Sequence, residues 1–331
     1  MTNDERLKIA LLAGGDSSER EIALQSAAQI EAALDRTKYD VTLIDLHHRD
    51  WHYTSPDGRQ WQVDKNDFSI TVDGERRQFD YALIVIHGTP GENGMLQGYL
   101  EMMDIPFSSC SMTSSVITFD KISTKRAVAG CGINLAREIF VRRGERVDAE
   151  AIVAELGLPL FVKPNASGSS FGVTKVKSAA EIAPAVEAAL AESDDVLIEE
   201  FVAGREMGCG VMIAGGREYL FPVTEIRPKK EFFDFEAKYS AGASEEITPA
   251  EIDEDIRAEL NRMTLAAYRA CRCSGIVRID FIVTPDGRPY MIEINTIPGM
   301  SSGSIVPKQV RAAGMTLGEV YDIIIENTRR K

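Results

Sequence analysis

Short apolar runs, punctuated by glycine-rich turns and followed by stretches of helical period, recur along most of this chain. Lys8 to Ala13 is apolar and runs into Gly14-Gly15, after which Asp16-Ser17-Ser18 offers capping side chains to a helical pattern from Glu19 to about Leu34. Tyr39 to Ile44 predicts a second strand, and Tyr81 to Ile86 is a continuous apolar run that suits a central strand of a parallel sheet. Between them His48 to Phe79 is polar, with Asp57-Gly58 and Asp73-Gly74 turns, and predicts inserted hairpins. The glycine-punctuated loop His87 to Gly94 follows at the carboxyl end of a strand, where open α/β sheets bind ligands. A helix over Met95 to Met103, a crossing at Ile105-Pro106-Phe107 and a helix over Ser111 to Gly130 come next.

Strands dominate beyond Gly130. Leu160 to Pro164 predicts a strand with Lys163 near its end, Asn165 to Gly172 a loop of small residues, and Val173 to Val176 another strand. Such a loop can lay its amides over phosphates, although Gly/Ser loops are more often plain turns. Val196 to Phe201 and Glu206 to Ile213 predict two further strands. Lys229 to Tyr239 has no clean period and reads as an ordered loop, while Asp253 to Cys271 and Leu317 to Arg329 read as helices. No internal repeat, heptad run or low-complexity tract is present.

Ile276 to Met300 concentrates the chemistry. Its two apolar runs flank Pro285-Asp286-Gly287, a hairpin turn signal. Strand alternation puts Arg278 and Asp280 on one face, against Ile279, Phe281 and Val283 on the other; Glu293 and Asn295 likewise share a face. A four-residue turn would set Arg278 across from Glu293 and gather Arg278, Asp280, Glu293 and Asn295 on one surface. Two carboxylates and an amide oxygen suit a hard cation such as Mg²⁺ shared with substrate phosphates. A cross-strand ion pair on a solvated sheet face is the plainer alternative. The loop Asn295 to Met300 favours the metal reading, because its backbone N–H groups run directly off the carboxylate strand and offer an anion site.

Composition narrows the field. At 331 residues the chain suggests two or three domains, with 44% hydrophobic and 27% charged residues. A net charge of −14 argues against nucleic acid or an anionic membrane as partner, so a polyanionic substrate must be met by local Lys, Arg or metal. Five cysteines without metal-clip spacing read as reduced, mostly buried thiols, and the four histidines form no zinc pattern. The polar start and the lack of an apolar run of membrane-spanning length point to a soluble cytoplasmic protein. Gly14-Gly15 after a strand suggests a dinucleotide fold, but the GxGxxG spacing is missing.

Taken together, AGGDSSEREIALQS, HGTPGENGMLQGYLE, the Asp120-Lys121 pair, FVKPNASGSSFGV, LIEEFVAGRE, FFDFEAKY, and VRIDF with EINTIPGM resemble the D-alanine–D-alanine ligases of the ATP-grasp group, from about Lys8 to the last helix. The resemblance implies an α/β fold of three domains, over 1–106, 107–198 and 199–331: an N-terminal parallel-sheet domain and two antiparallel-sheet domains clasping ATP. It implies that ATP phosphorylates one D-alanine carboxylate and that the amine of a second D-alanine attacks the acyl phosphate, giving the dipeptide used in peptidoglycan precursors.

The same resemblance distributes roles. Lys121, Lys163, Lys238 and Ser170 would meet ATP, with Lys238 near the γ-phosphate; Glu199, Glu206, Phe201 and Val202 would form the adenosine pocket. For Phe201 core packing is the competing reading, and for each lysine a solvated surface charge. Asp280, Glu293 and Asn295 would hold two Mg²⁺ ions, with Mn²⁺ able to substitute. Arg278 and the Gly299 amide would form the oxyanion site. Glu19 would bind the first ammonium, Ser169 and Tyr239 would close the site by hydrogen bonds to Glu19, and Ser304 would contact the second carboxylate. His87 would touch substrate or serve structurally. Asn93 departs from the Asp common after Glu92, and Phe235 from a Tyr; Tyr239 favours an amine over a hydroxyl acceptor. The implied assembly is a homodimer. A nucleotide-binding regulator without turnover is the alternative from another class, opposed by the intact set of Lys, Arg and acid residues.

Overall fold

The structure, a computed structural model, describes residues 6–166, 168, 171–228 and 244–329. In chain order its elements are β1 (Leu7–Gly14), α1 (Arg20–Ala33), β2 (Tyr39–His47), β3 (Asp50–Thr54), β4 (Gln60–Asp64), β5 (Ser69–Val72), β6 (Glu75–Gln78), β7 (Tyr81–Ile84), α2 (Met95–Met102), α3 (Met112–Phe119) and α4 (Lys121–Val128). There follow β8 (Glu138–Arg142), α5 (Ala149–Leu156), β9 (Leu160–Pro164), β10 (Thr174–Val176), α6 (Ile182–Glu192), β11 (Asp195–Glu200), β12 (Arg205–Ala214), β13 (Arg217–Leu220), β14 (Thr224–Pro228), β15 (Ser244–Ile247), α7 (Glu254–Ala270), β16 (Val277–Val283), β17 (Pro289–Asn295), α8 (Ile305–Ala312) and α9 (Leu317–Thr328).

Three sheets organise the described residues: a seven-stranded sheet β6-β5-β4-β3-β2-β1-β7, a four-stranded sheet β10-β9-β11-β8, and a six-stranded sheet β15-β14-β12-β16-β17 with β13 on β12. In the first, β1 pairs in parallel with both β2 and β7. Ile9, Leu11 and Ala13 enter one apolar cluster while Ala10 and Leu12 enter another, so both faces of β1 are covered. This is why its sequence is a continuous apolar run rather than an alternating one. The predicted hairpins of the polar stretch extend this sheet antiparallel as β3 to β6. The second and third sheets are antiparallel throughout.

Two expectations change. The helix expected over Ser111 to Gly130 is two helices broken at Asp120, whose backbone is extended (φ −89°, ψ 111°) and whose carboxylate accepts the Ser123 N–H at 2.7 Å. The capping bond of an Asp competes with helix continuation and wins here. The last helix, expected within a third domain, also packs on the first sheet, in a cluster that takes in Met212 and Phe221 beside the six-stranded sheet. Val320, Ile324 and Ile325 join Ile9, Leu11 and Tyr81 in one cluster, Tyr81 and Thr328 share a hydrogen bond of 2.6 Å, and Asp322 accepts from Tyr39 at 2.7 Å. Phe107 also bridges in parallel to Ala82, so the first sheet continues past the crossing at Pro106.

Ile324 is 2% exposed in that inter-element core. Ile324→Ala is expected to lower unfolding free energy by about 2–5 kcal/mol, read from the denaturant midpoint, because the cavity is lined from both ends of the chain. A cost below about 1 kcal/mol would mean that α9 is only loosely docked.

Candidate active site

The β16–β17 hairpin reaches its oxygen-rich face by a longer route than the sequence suggested. Val283 pairs with Pro289, so the loop is one residue longer than a four-residue turn, closed by Thr284 N–H to Arg288 O at 3.0 Å and Gly287 N–H to Thr284 O at 2.8 Å. The register shifts again between Asp280 and Phe281, leaving Ile292 as a bulge. Each one-residue shift turns a strand over, and two restore the original face. Arg278 therefore lies opposite Asn295, not Glu293 as expected, and Asp280 opposite Glu293. The four side chains still share a surface. Arg278 donates from Nε and Nη2 to the two oxygens of Asp280, each at 2.8 Å, and Asn295 Nδ2 donates to Asp280 Oδ2 at 2.9 Å.

This face forms one wall of a cleft of about 490 Å³ between the four-stranded and six-stranded sheets. Lys121, Lys163, Glu199, Phe201, Val202, Glu206, Asp280 and Glu293 all line it. Lys163 Nζ lies 2.6 Å from Glu199 Oε2, and the other oxygen of Glu199 takes Lys125 Nζ at 2.6 Å. Burial alone would raise the Glu199 carboxyl, but Lys163 and then Lys125 outweigh it and hold it at about 2. Lys125 is 6% exposed and also donates to Glu138 at 2.8 Å and to the Ala136 carbonyl at 2.8 Å, so its ammonium is saturated. Phe201 is 37% exposed at the cleft, which removes core packing as its role; Lys175 Nζ stands 4.2 Å from its ring centroid.

At the other end of the hairpin, His87 and Glu92 tie the glycine-punctuated loop His87 to Gly94 to the loop after β17. His87 Nδ1 lies 2.8 Å from the Ile297 carbonyl and Nε2 3.4 Å from Ser26 Oγ, which in turn accepts the Met300 N–H at 3.1 Å. Burial pushes His87 below its ordinary value, and a neutral ring with Nδ1 protonated fits both bonds. Glu92 accepts the Gly88 N–H at 2.7 Å and the Ile297 N–H at 3.3 Å. Burial, with Glu19 adding, lifts its carboxyl to about 8. Glu19 ends the loop before α1, and methyl groups on Gly88 and Gly168 would lie 3.7 and 3.2 Å from its Oε2, so its carboxylate sits between the two glycine loops. Ser304, at the N-terminus of α8, bonds Ser301 at 2.8 Å and would meet a methyl on Gly299 at 2.9 Å, placing hydroxyl, helix end and Gly299 together. Asn93 is spent locally, accepting the Met95 N–H at 3.2 Å.

Ser169, Ser170, Lys238, Tyr239 and Phe235 lie outside the described residues. Sequence reasoning passed over Lys125 and Glu138, whose types in a helix and a short strand read as surface charge. It also passed over Arg205, Glu225 and Arg227 on the cleft wall, where Arg205 grips Glu225 at 2.7 and 2.8 Å and Arg227 holds the same carboxylate at 2.7 Å. Among the described residues no three His, Cys, Asp or Glu side chains form a metal cluster. Two carboxylates and an amide oxygen are nonetheless the donor set of a Mg²⁺ ion that completes its shell with water and substrate phosphate, so the residues fit that ion.

The sequence pattern of the D-ala D-ala ligase N-terminus matches residues 8–110 and that of the C-terminus residues 128–326. A D-alanine–D-alanine ligase of Phocaeicola vulgatus is 46% identical over 96% of this chain and 98% of its own, and one of Bacteroides fragilis 43% over the same shares. Among solved structures, D-alanyl-alanine synthetase A of Vibrio cholerae superposes with a TM-score of 0.89 at 29% identity, covering 99% of both chains. The Bacillus anthracis D-alanine–D-alanine ligase complexed with ATP gives 0.78 at 31% identity over 98% of both.

Because the Glu199 carboxyl is depressed, its stabilisation is complete above its ordinary 4.5 and is lost as pH falls towards about 2. Glu199→Ala is expected to cost about 1.5–3 kcal/mol near neutrality, since it leaves buried Lys125 with Glu138 as its one carboxylate and frees Lys163, and to flatten that acid limb in pH-dependent denaturation. An acid limb unchanged in the variant would show that Glu199 is not its source.

Proposed function

The chain belongs to the D-alanine–D-alanine ligase family, joining two D-alanines to D-alanyl-D-alanine at the expense of ATP for peptidoglycan synthesis, and from that premise we propose how its own residues carry the reaction. The carrying observation is that Lys163 and Glu199, the latter braced from behind by buried Lys125, line one cleft with the Asp280–Glu293 face. ATP lies there, its adenosine against Glu199, Glu206, Phe201 and Val202 and its phosphates towards Lys121, Lys163, Ser170 and Lys238. Asp280, Glu293 and Asn295 would hold two Mg²⁺ ions, or Mn²⁺, which neutralise phosphate charge when bound. Arg278 orients Asp280 by donating to both of its oxygens.

Glu19 receives the ammonium of the first D-alanine, directing its carboxylate at the γ-phosphorus. That oxygen forms the new P–O bond, ADP leaves, and the carboxylate becomes an acyl phosphate. The amine of the second D-alanine, whose carboxylate is held at Ser304 and the start of α8, attacks the carbonyl carbon. Arg278 and the Gly299 N–H carry the oxyanion, and phosphate leaves. Ser169 and Tyr239 close over Glu19; the position of Gly168 beside that carboxylate supports this. His87 acts by holding the loop that bears Gly299 rather than by touching substrate. We assign residues 1–106, 107–198 and 199–331 to three domains, with α9 returning to the first, and place the enzyme in the cytoplasm, where ATP is available; no helix among the described residues is long and apolar enough to cross a membrane. Nucleic acid and membrane surfaces are not partners of a chain with net charge −14.

The assembly proposed is a homodimer through the apolar face of α2 and α3, where Met95, Met102, Met112 and Val116 are 68, 79, 40 and 48% exposed. Met102→Glu is expected to shift sedimentation from dimer to monomer; an unchanged dimer would place the contact elsewhere. Arg278→Met is expected to cut kcat by about 100- to 1000-fold with folding retained, read as phosphate release from Mg-ATP and D-alanine. D-lactate in place of the second D-alanine should be the poorer acceptor at neutral pH, and its outcompeting D-alanine would overturn the amine assignment.

A further inference from the structure

Lys121 and Lys163 face one cleft from two different bodies. Lys163 stands on β9, whose Leu160 and Val162 pack in the apolar cluster of the four-stranded sheet. Lys121 opens α4, whose Val128 packs in the cluster of the six-stranded sheet. The spacing between their ammonium groups therefore depends on whatever ties α4 to β9.

Asn165 supplies that tie. It follows Lys163 by two residues, is 1% exposed, and has every polar group bonded. Its backbone N–H donates to Asp195 O at 2.9 Å and its carbonyl accepts the Lys121 N–H at 3.1 Å. Its side-chain Oδ1 accepts the Ile122 N–H at 2.9 Å, and Nδ2 donates to Asp120 Oδ2 at 2.6 Å. Asp120 uses its other oxygen to cap Ser123. The first two N–H groups of α4, orphans in any isolated helix, are thus satisfied by the residue that directly follows β9.

We propose that Asn165 is a positioning residue for nucleotide binding: by stapling the first turn of α4 to the end of β9, it fixes Lys121 against Lys163 at the separation that the phosphate chain of ATP requires. This rests on the reading that both lysines hold those phosphates. A phosphate chain gripped from two bodies is sensitive to their offset, whereas binding of D-alanine between Glu19, Gly299 and Ser304 does not involve α4.

An exchange of roles tests it. Asn165→Asp keeps an acceptor for Ile122 but sets one carboxylate against another at Asp120. The double variant Asp120→Asn with Asn165→Asp restores the bond with donor and acceptor reversed, and the oxygen of the new amide at position 120 still caps Ser123. The single variant is expected to raise the KM for ATP about 10- to 100-fold, the scale of a small misplacement, with the KM for D-alanine changed less than about twofold. The double variant should recover most of that loss. Asn165→Ala, which removes both side-chain bonds without adding charge, should raise the ATP KM in the same selective way and serves if the Asp variant does not fold. Equal changes in both KM values, or no recovery in the double variant, would overturn the proposal. Lys163→Ala separates the premise: if it leaves the ATP KM unchanged, the lysine reading fails, whereas a raised KM there with Asn165→Asp silent defeats the staple alone.

Discussion

The acidic face of the β16–β17 hairpin depends on the bulge at Ile292. The loop after β16 is one residue too long for the alternation that the strands require, and without a second shift Glu293 would pair with Ile279 and point into the core of the six-stranded sheet. A carboxylate placed there without partners would cost several kcal/mol or be forced neutral. The bulge absorbs the extra residue and leaves Glu293 and Asn295 beside Asp280. Arg278, two residues before Asp280 on the same face, then closes the group by holding both of its oxygens.

Charge in the rest of the cleft follows one pattern, a carboxylate held between two cations. Glu199 lies between Lys125 and Lys163, and Glu225 between Arg205 and Arg227, with Arg205 and Arg227 holding its carboxyl at about 2 against the cost of burial. Buried ions of this kind add little net stability, because desolvation offsets their attraction. What they fix is position. An acidic chain that binds a polyanion needs its few cations at set points, and side chains braced by buried carboxylates lose less entropy when the ligand arrives.

How much of this could be read in the sequence varied with how local its cause is. The shared face of Asp280, Glu293 and Asn295 was legible because alternation is local and two errors of one residue cancel; the partner of Arg278 was not, because nothing in Ile292 announces a bulge. The break at Asp120 had its signal, an Asp followed by a helical pattern, but the apolar period ran through it. Lys125 looked like any helical surface lysine, since its burial is made by Glu138, Glu199 and the Ala136 carbonyl, all distant in sequence. The docking of α9 on β1 and β7 pairs opposite ends of the chain, which no local pattern reports. Lys238 and Tyr239, both legible by motif, stand outside the described residues.

Whether the cleft activates a carboxylate by phosphorylating it is tested most directly with D-alanine carrying heavy oxygen in its carboxylate. Attack of the carboxylate on ATP followed by amine attack at carbon leaves one carboxylate oxygen on the departing phosphate. Labelled phosphate released in step with D-alanyl-D-alanine is the expected result. Unlabelled phosphate would mean that water, not D-alanine, attacks ATP, and would contradict the roles assigned to Glu19, Arg278 and Gly299.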